Sequence, residues 1–178
     1  MTEPTKARTG TKKLGTFGEE LVCRYLIKMN WRILERNLRI GRSPEIDVVA
    51  QAPCSTIVFI EVKSRQIVET SSNCLEQSWL ESALDTVSRG KQNKILRLAE
   101  IYLRQRHREG KLDHRFEQIR YRFDIIFLGI SSGAWRSTST MDDAEVNSSI
   151  DCLLSAYAGF EGRSADLMLI HCENAFAR

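Results

Sequence analysis

The stretch EIDVVAQAPCSTIVFIEVK, residues 45–63, constrains the fold more than any other part of the chain. Two apolar runs rich in β-branched residues are joined by QAPCS, a length suited to a hairpin loop, so EIDVVA and TIVFIEVK read as two antiparallel strands. Pro44 stands just before the first, where a missing N–H costs little. A hairpin folded about Cys54 sets Asp47 opposite Glu61 and Glu45 opposite Lys63. Side chains alternate along a strand, so these four share one face while Ile46, Val48, Ile60 and Val62 line the other.

Charges in segments otherwise built for burial need a reason. Carboxylates directly opposed on antiparallel strands sit about 5 Å apart, and at an effective dielectric constant of about 20 they repel by on the order of 3 kcal/mol. Lys63 compensates in part. Two convergent carboxylates also suit a hard divalent cation such as Mg²⁺, which takes one or two carboxylates with water and substrate phosphate. The plainer alternative is a Glu45–Lys63 salt bridge across an edge hairpin, with Asp47 and Glu61 left in solvent.

The flanking segments supply context. Residues 1–13 are polar, basic and aperiodic, which predicts a mobile tail. From Leu14 the apolar residues Phe17, Leu21, Val22, Tyr25, Leu26 and Met29 follow at three- and four-residue steps, the spacing of an amphipathic helix. Glu20 leads to Arg24 and Lys28 on a polar, ion-paired face, whereas Glu19 lies beside the apolar stripe, with Gly15 and Gly18 leaving room near it. Glu19 is either a group placed for chemistry or a residue complementing the helix dipole.

WRILERNLRI (31–40) reads as a strand, and 66–75 as a loop. A helix is predicted from about residue 76, interrupted or bent around Gly90 and continuing with Lys91, Ile95, Leu98 and Tyr102 on one face. Lys91 there either snorkels from a buried edge or reaches a phosphate held over the sheet. RYRFDIIFLGI (120–130) reads as an interior strand, 131–149 as a long polar loop, and 165–172 as a strand that closes the sheet.

At 178 residues the chain fits one domain, a mixed α/β fold occupying 14–178 after the tail. The net charge is only +3, but it is unevenly spread. Within 89–111 stand Arg89, Lys91, Lys94, Arg97, Arg104, Arg106, Arg108 and Lys111 against Glu100 and Glu109, a run that either attracts a polyanion or is a solvated face. Five scattered cysteines without a Cys-x-x-Cys pair argue for reduced, mostly buried thiols rather than a disulfide framework or zinc site. No run approaches the roughly 18 apolar residues of a membrane span, and the N-terminus has no apolar core of the kind a secretory signal needs, so a cytoplasmic protein is expected.

A helix carrying Glu, a hairpin with Asp on one strand and Glu-x-Lys on the next, and then a basic helix resembles the PD-(D/E)XK nuclease superfamily. More closely, the chain resembles the YraN family of bacterial endonuclease-like proteins through GTFGEELVCRYL (15–26), ILERNLRI (33–40), PEIDVVA (44–50), IVFIEVKSR (57–65), KQNKILRLAEIYL (91–103), YRFDIIFL (121–128) and ENAF (173–176). Glu-x-Lys alone is weak, but the ordered set is specific and spans nearly the whole chain.

The resemblance implies a restriction-endonuclease-like mixed β-sheet flanked by α-helices, built as a helix, a three-strand meander, a helix and further strands, as in Holliday-junction resolvases. It implies Mg²⁺ or Mn²⁺ held by Asp47 and Glu61, Lys63 beside the attacking water, and Glu19 as the acid of the first helix. Lys91, Lys94 and Arg97 would contact nucleic acid, with DNA favoured, and a homodimer is open by analogy with resolvases. Asp124 matches the family's Arg-Phe-Asp strand without an assigned role. Pro44 stands where the family usually has Gly, and insertions are expected near 66–85 and 131–164. The competing functions are a non-catalytic nucleic-acid-binding module of the same fold and a protein-interaction scaffold recruiting through Asp142, Asp143 and Glu145.

Overall fold

A computed structural model of the chain describes residues 5–41, 45–67, 88–112, 119–155, 162–163 and 166–175. The elements in order are α1 (Thr5–Lys28), β1 (Arg32–Leu38), β2 (Ile46–Gln51), β3 (Ile57–Ile67), α2 (Arg89–Arg108), β4 (Tyr121–Ser131), α3 (Ser132–Ser139), α4 (Asp143–Ser155), β5 (Gly162–Arg163) and β6 (Leu167–Cys172). The strands form one sheet in the order β1-β2-β3-β4-β6-β5. Only β3 and β4 run parallel, and the other neighbours are antiparallel. A parallel pair requires a crossover, and α2 lies within it. This mixed sheet flanked by helices is consistent with a restriction-endonuclease-like fold.

Alternation along the strands builds two apolar layers. On one face, Val58, Ile60 and Val62 of β3 and Ile126, Leu128 and Ile130 of β4 pack with Leu21, Val22 and Leu26 of α1, Trp135 of α3 and Ile150 of α4. On the other, Ile57 and Phe59 meet Ile95, Leu98, Ala99 and Tyr102 of α2. Burying a Leu or Ile this completely stabilises by about 1.5–3 kcal/mol relative to exposure. Glu61 and Lys63 therefore belong to the α2 face, since they continue the Ile57, Phe59 series.

Gly18 fixes how α1 crosses the sheet. A Cβ there would lie 1.8 Å from Ser64 Oγ and 2.9 Å from Ser64 Cβ, so only glycine lets the helix backbone settle on β3 at this point. Glu19 is the next residue and is brought to the edge of the same strand region.

Several expectations are corrected. The first helix starts at Thr5, not Leu14, because the segment read as a tail holds Lys, Arg and Ala, which favour helix without burial. The stretch 131–149 is not a loop but contains α3 and the start of α4. Its Ser and Asp residues act as caps: Ser131 Oγ accepts from Ala134 N, and Asp142 Oδ1 accepts from Ala144 N and Glu145 N while Glu145 returns a bond to Asp142 N. Trp135 is buried against Phe17, ring centroids 5.7 Å apart.

The expected interruption or bend around Gly90 involves residues before Ser88, which lie outside the described residues; Gly90 itself is at the start of α2, not in its interior. It sits in the first turn, where Ser88 Oγ accepts from Lys91 N. Of the described cysteines all are free, but Cys54 at the hairpin tip and Cys152 on α4 are exposed rather than buried. The strand expected to close the sheet is β6, which lies between β4 and the short β5. Pro44, Cys74, Trp79, the beginning of the helix predicted near residue 76 and most of the 66–85 insertion lie outside the described residues. No described helix is long and apolar enough to cross a membrane.

Candidate active site

The hairpin register is the one its loop predicts: Gln51 pairs with Ile57, Ala50 with Val58, Val49 with Phe59 and Val48 with Ile60. There the recorded pairing stops. One residue further, Asp47 Oδ2 accepts the Val62 N–H at 2.7 Å, so a side chain takes over from the ladder and the two strands fork. Beyond the fork β3 continues, paired with β4 as far as Ile67.

The opposite side of β2 changes at the same level. Arg36 of β1 pairs with Val48 and Leu38 with Ile46, placing Asn37 and Asp47 between these two pairs. Asn37 has φ +52°, a left-handed backbone inside a strand. Leu38 and Ile46 accordingly pack in the α2 layer, whereas Val48 packs in the α1 layer. The expectation that Ile46 shares a face with Val48 is thus corrected, because alternation is broken where Asn37 turns.

Glu61 is 7% exposed and sits in the fork. Its Oε1 accepts from Lys63 Nζ at 2.7 Å and from Lys91 Nζ on the first turn of α2, while its Oε2 is buried with no hydrogen-bond partner. Burial and the neighbouring Glu61 raise the Asp47 carboxyl from an ordinary 3.8 to about 7, with Glu19 raising it further and the Val62 bond and Lys63 opposing. Burial also raises Glu19, reinforced by Glu45 and Glu61 and opposed by Arg36. With its amide turned to satisfy both neighbours, Asn37 donates to Glu19 Oε2 at 3.0 Å and to Glu45 Oε1 at 3.2 Å.

Glu19, Asp47, Glu61, Lys63 and Lys91 are therefore drawn into one neighbourhood. Lys94 and Arg97 are not, since both are exposed on α2. The predicted facing of Glu45 and Lys63 is corrected: Glu45 pairs with Arg39, and Lys63 with Glu61. The fork removes the register that would have joined them. Glu20 pairs with Arg24 as its spacing predicts, and also with Arg36 across to β1.

Asp47 and Glu61 are the neighbouring acids at the fork. Among the described residues no group of three or more His, Cys, Asp or Glu side chains converges to hold an ion. Two carboxylates are still the number Mg²⁺ ordinarily takes from protein beside water and phosphate. The unpartnered Glu61 Oε2 and the raised Asp47 carboxyl are both conditions that a cation at this point would relieve.

A pH prediction follows from Asp47. An acid whose folded-state pKa lies above its unfolded value binds its proton more tightly when folded, so stability falls as pH rises from about 4 to about 7, by at most on the order of 4 kcal/mol. Asp47→Asn is expected to remove most of this slope and to unfold at higher urea than wild type at pH 8, with the two converging below pH 4. Urea midpoints measured across this range check it.

The Asp124 carboxylate is the largest feature that the sequence left without a role. It is 1% exposed, accepts from Arg122 Nε at 3.1 Å, lies 2.7 Å from His171 Nε2 of β6, and accepts from Asn174 N at 3.1 Å. Arg122 also pairs with Glu173 and lies over the Trp31 ring. Asp124 pairs with Ile60, next to Glu61 along the strand and therefore on the other face of the sheet.

Residues 18–128, more than half of the chain, match the family described as Uncharacterised protein family UPF0102. The chain belongs to this family. The matched span holds Glu19, Asn37, Asp47, Glu61, Lys63, Lys91 and Asp124, and it ends before α3. Family members similar to the chain include a UPF0102 protein of Desulforamulus reducens, 34% identical over 108 residues, which cover 61% of this chain and 80% of the relative. Another, of Caldanaerobacter subterraneus subsp. tengcongensis, is 34% identical over 119 residues, 67% of this chain and 81% of the relative. A third, of Geobacter sulfurreducens, is 36% identical over 121 residues, 68% of this chain and 79% of the relative. The UPF0102 family is the YraN family named above.

Proposed function

We propose that the chain is a metal-dependent nuclease of the PD-(D/E)XK type that hydrolyses phosphodiester bonds, with structured or branched DNA as its substrate class. The observation that supports this reading is the fork itself. Two carboxylates on diverging strands, Asp47 half-buried and Glu61 buried with an oxygen left unpartnered, stand beside Lys63 of β3 and Lys91 in the first turn of a basic helix. A binding module has no use for acids next to a polyanion, which they repel.

Asp47 and Glu61 would hold Mg²⁺ or Mn²⁺, which when bound polarises a phosphoryl oxygen and makes a nucleophile available near neutral pH. The remaining roles belong to the chain's own groups. Lys63 orients the attacking water and, as a cation, favours the charge that builds on the phosphate. Lys91 lies in the first turn of α2, where the helix dipole also favours a phosphate. Lys94 and Arg97, exposed on that helix, meet the flanking backbone and give binding a salt dependence. Branched DNA as substrate rests on likeness to resolvases, a warrant from fold alone.

A non-catalytic binding protein is the second reading, favoured by one observation: Lys63 and Lys91 already neutralise Glu61 without a metal. Cleavage of linear, flapped, four-way and single-stranded DNA and of RNA, with Mg²⁺ or Mn²⁺, separates the two. The nuclease reading expects metal-dependent cleavage that Asp47→Ala and Lys63→Ala both lose. Binding without cleavage on every substrate, unchanged in both variants, would leave the binding module standing, and absent binding would favour the scaffold.

A further inference from the structure

Asn37 is, among the described residues, the one non-glycine residue inside a strand with a left-handed backbone; the others with positive φ, Asn30, Ser55 and Asn174, lie in turns. Asparagine tolerates this region better than most residues, yet it still carries a cost that a regular strand would avoid. The position brings a return. Turning at Asn37 directs its amide toward the acids, where the two N–H groups of one side chain reach two carboxylates from different elements, Glu19 of α1 and Glu45 just before β2.

Glu45 raises the cost of ionising Glu19, and an amide donating to both carboxylates holds them together. Glu45 is itself anchored, since its other oxygen pairs with Arg39. A continuous set of contacts therefore runs Arg39, Glu45, Asn37, Glu19. Its far end is the acid that α1 carries beside the fork.

We propose that Asn37 is the positioning residue for Glu19, its left-handed backbone and bridging amide holding that carboxylate in a fixed place beside Asp47 and Glu61. The catalytic part of this inference rests on the nuclease reading, while the bridge stands on geometry alone. Asn37 touches no reacting group, so its loss acts through Glu19.

Three variants separate backbone from amide. Asn37→Gly keeps the left-handed conformation and removes the donor, Asn37→Ala loses both, and Asn37→Asp keeps the shape but replaces the donor with a third acid. Asn37→Gly is expected to unfold close to wild type. Its kcat on nucleic acid should fall about 10- to 100-fold with KM within about twofold, the pattern of a misplaced group rather than weakened binding. Asn37→Asp should lose as much, and Asn37→Ala should also lose stability. Wild-type kcat in Asn37→Gly would overturn the proposal, reducing Asn37 to a backbone device.

A second measurement keeps failure of the nuclease reading distinct. In ¹⁵N-labelled protein, the Asn37 side-chain amide signals are expected to shift and to exchange faster with water in Glu19→Ala and in Glu45→Ala. Signals unmoved by either change would overturn the bridge, whether or not wild type cleaves. Moved signals in a protein that cleaves nothing would retain the bridge and discard the nuclease.

Discussion

Glu61→Gln is expected to lower metal-dependent cleavage by about 10³-fold or more, while metal-free binding of nucleic acid stays the same or tightens. The substitution is nearly isosteric and keeps an acceptor for Lys63 and Lys91, so a fold that tolerates Glu61 at 7% exposure should tolerate glutamine. What changes is charge. Two ammonium groups lose the anion between them, which attracts phosphate more strongly, and the cation loses one of its two carboxylates. A merely structural Glu61 would instead lose binding and stability together. Filter binding in EDTA beside single-turnover cleavage in Mn²⁺ distinguishes these outcomes.

Asp124→Ala is expected to cost about 3–5 kcal/mol, because it leaves the buried His171, the half-buried Arg122 guanidinium and the Asn174 N–H around an empty acceptor. For a domain of this length that corresponds to a fall of about 10 °C or more in Tm. Asp124 lies on the α1 face, opposite Glu61, so chemistry and stability should separate. At a temperature where Asp124→Ala is still folded, cleavage per folded molecule is expected to stay near wild type. Loss of cleavage in fully folded Asp124→Ala would place this carboxylate in the reaction rather than in the scaffold.

The register from Val48–Ile60 to Gln51–Ile57 was legible because it depends on loop length and on strict two-residue alternation, both visible in EIDVVAQAPCSTIVFIEVK, whereas the fork beyond it, where Asp47 takes the Val62 N–H, was not. Glu19 could be told from Glu20 by helical spacing for the same kind of reason. Three other features escaped. The left-handed Asn37 leaves no mark in the hydrophobic pattern of ILERNLRI, and with it went the face of Ile46 and the partner of Glu45. The helices α3 and α4 were hidden because Ser, Thr and Asp favour loops and caps alike. Only the Asp142–Glu145 spacing, a capping box, distinguished one from the other. The Asp124 network depends on partners that no local window contains.

That last separation bears on how the protein is made. His171 and Asn174 lie 47 and 50 positions after Asp124. During synthesis Asp47, Glu61, Lys63 and Lys91 emerge well before the groups that complete the sheet around β4. A nascent chain can thus display its acids and lysines while β4 still lacks its β6 neighbour and Asp124 still lacks two of its donors. Pairing of β6 completes that edge of β4, so the candidate site's residues are all synthesised before the last sheet neighbour of β4 exists.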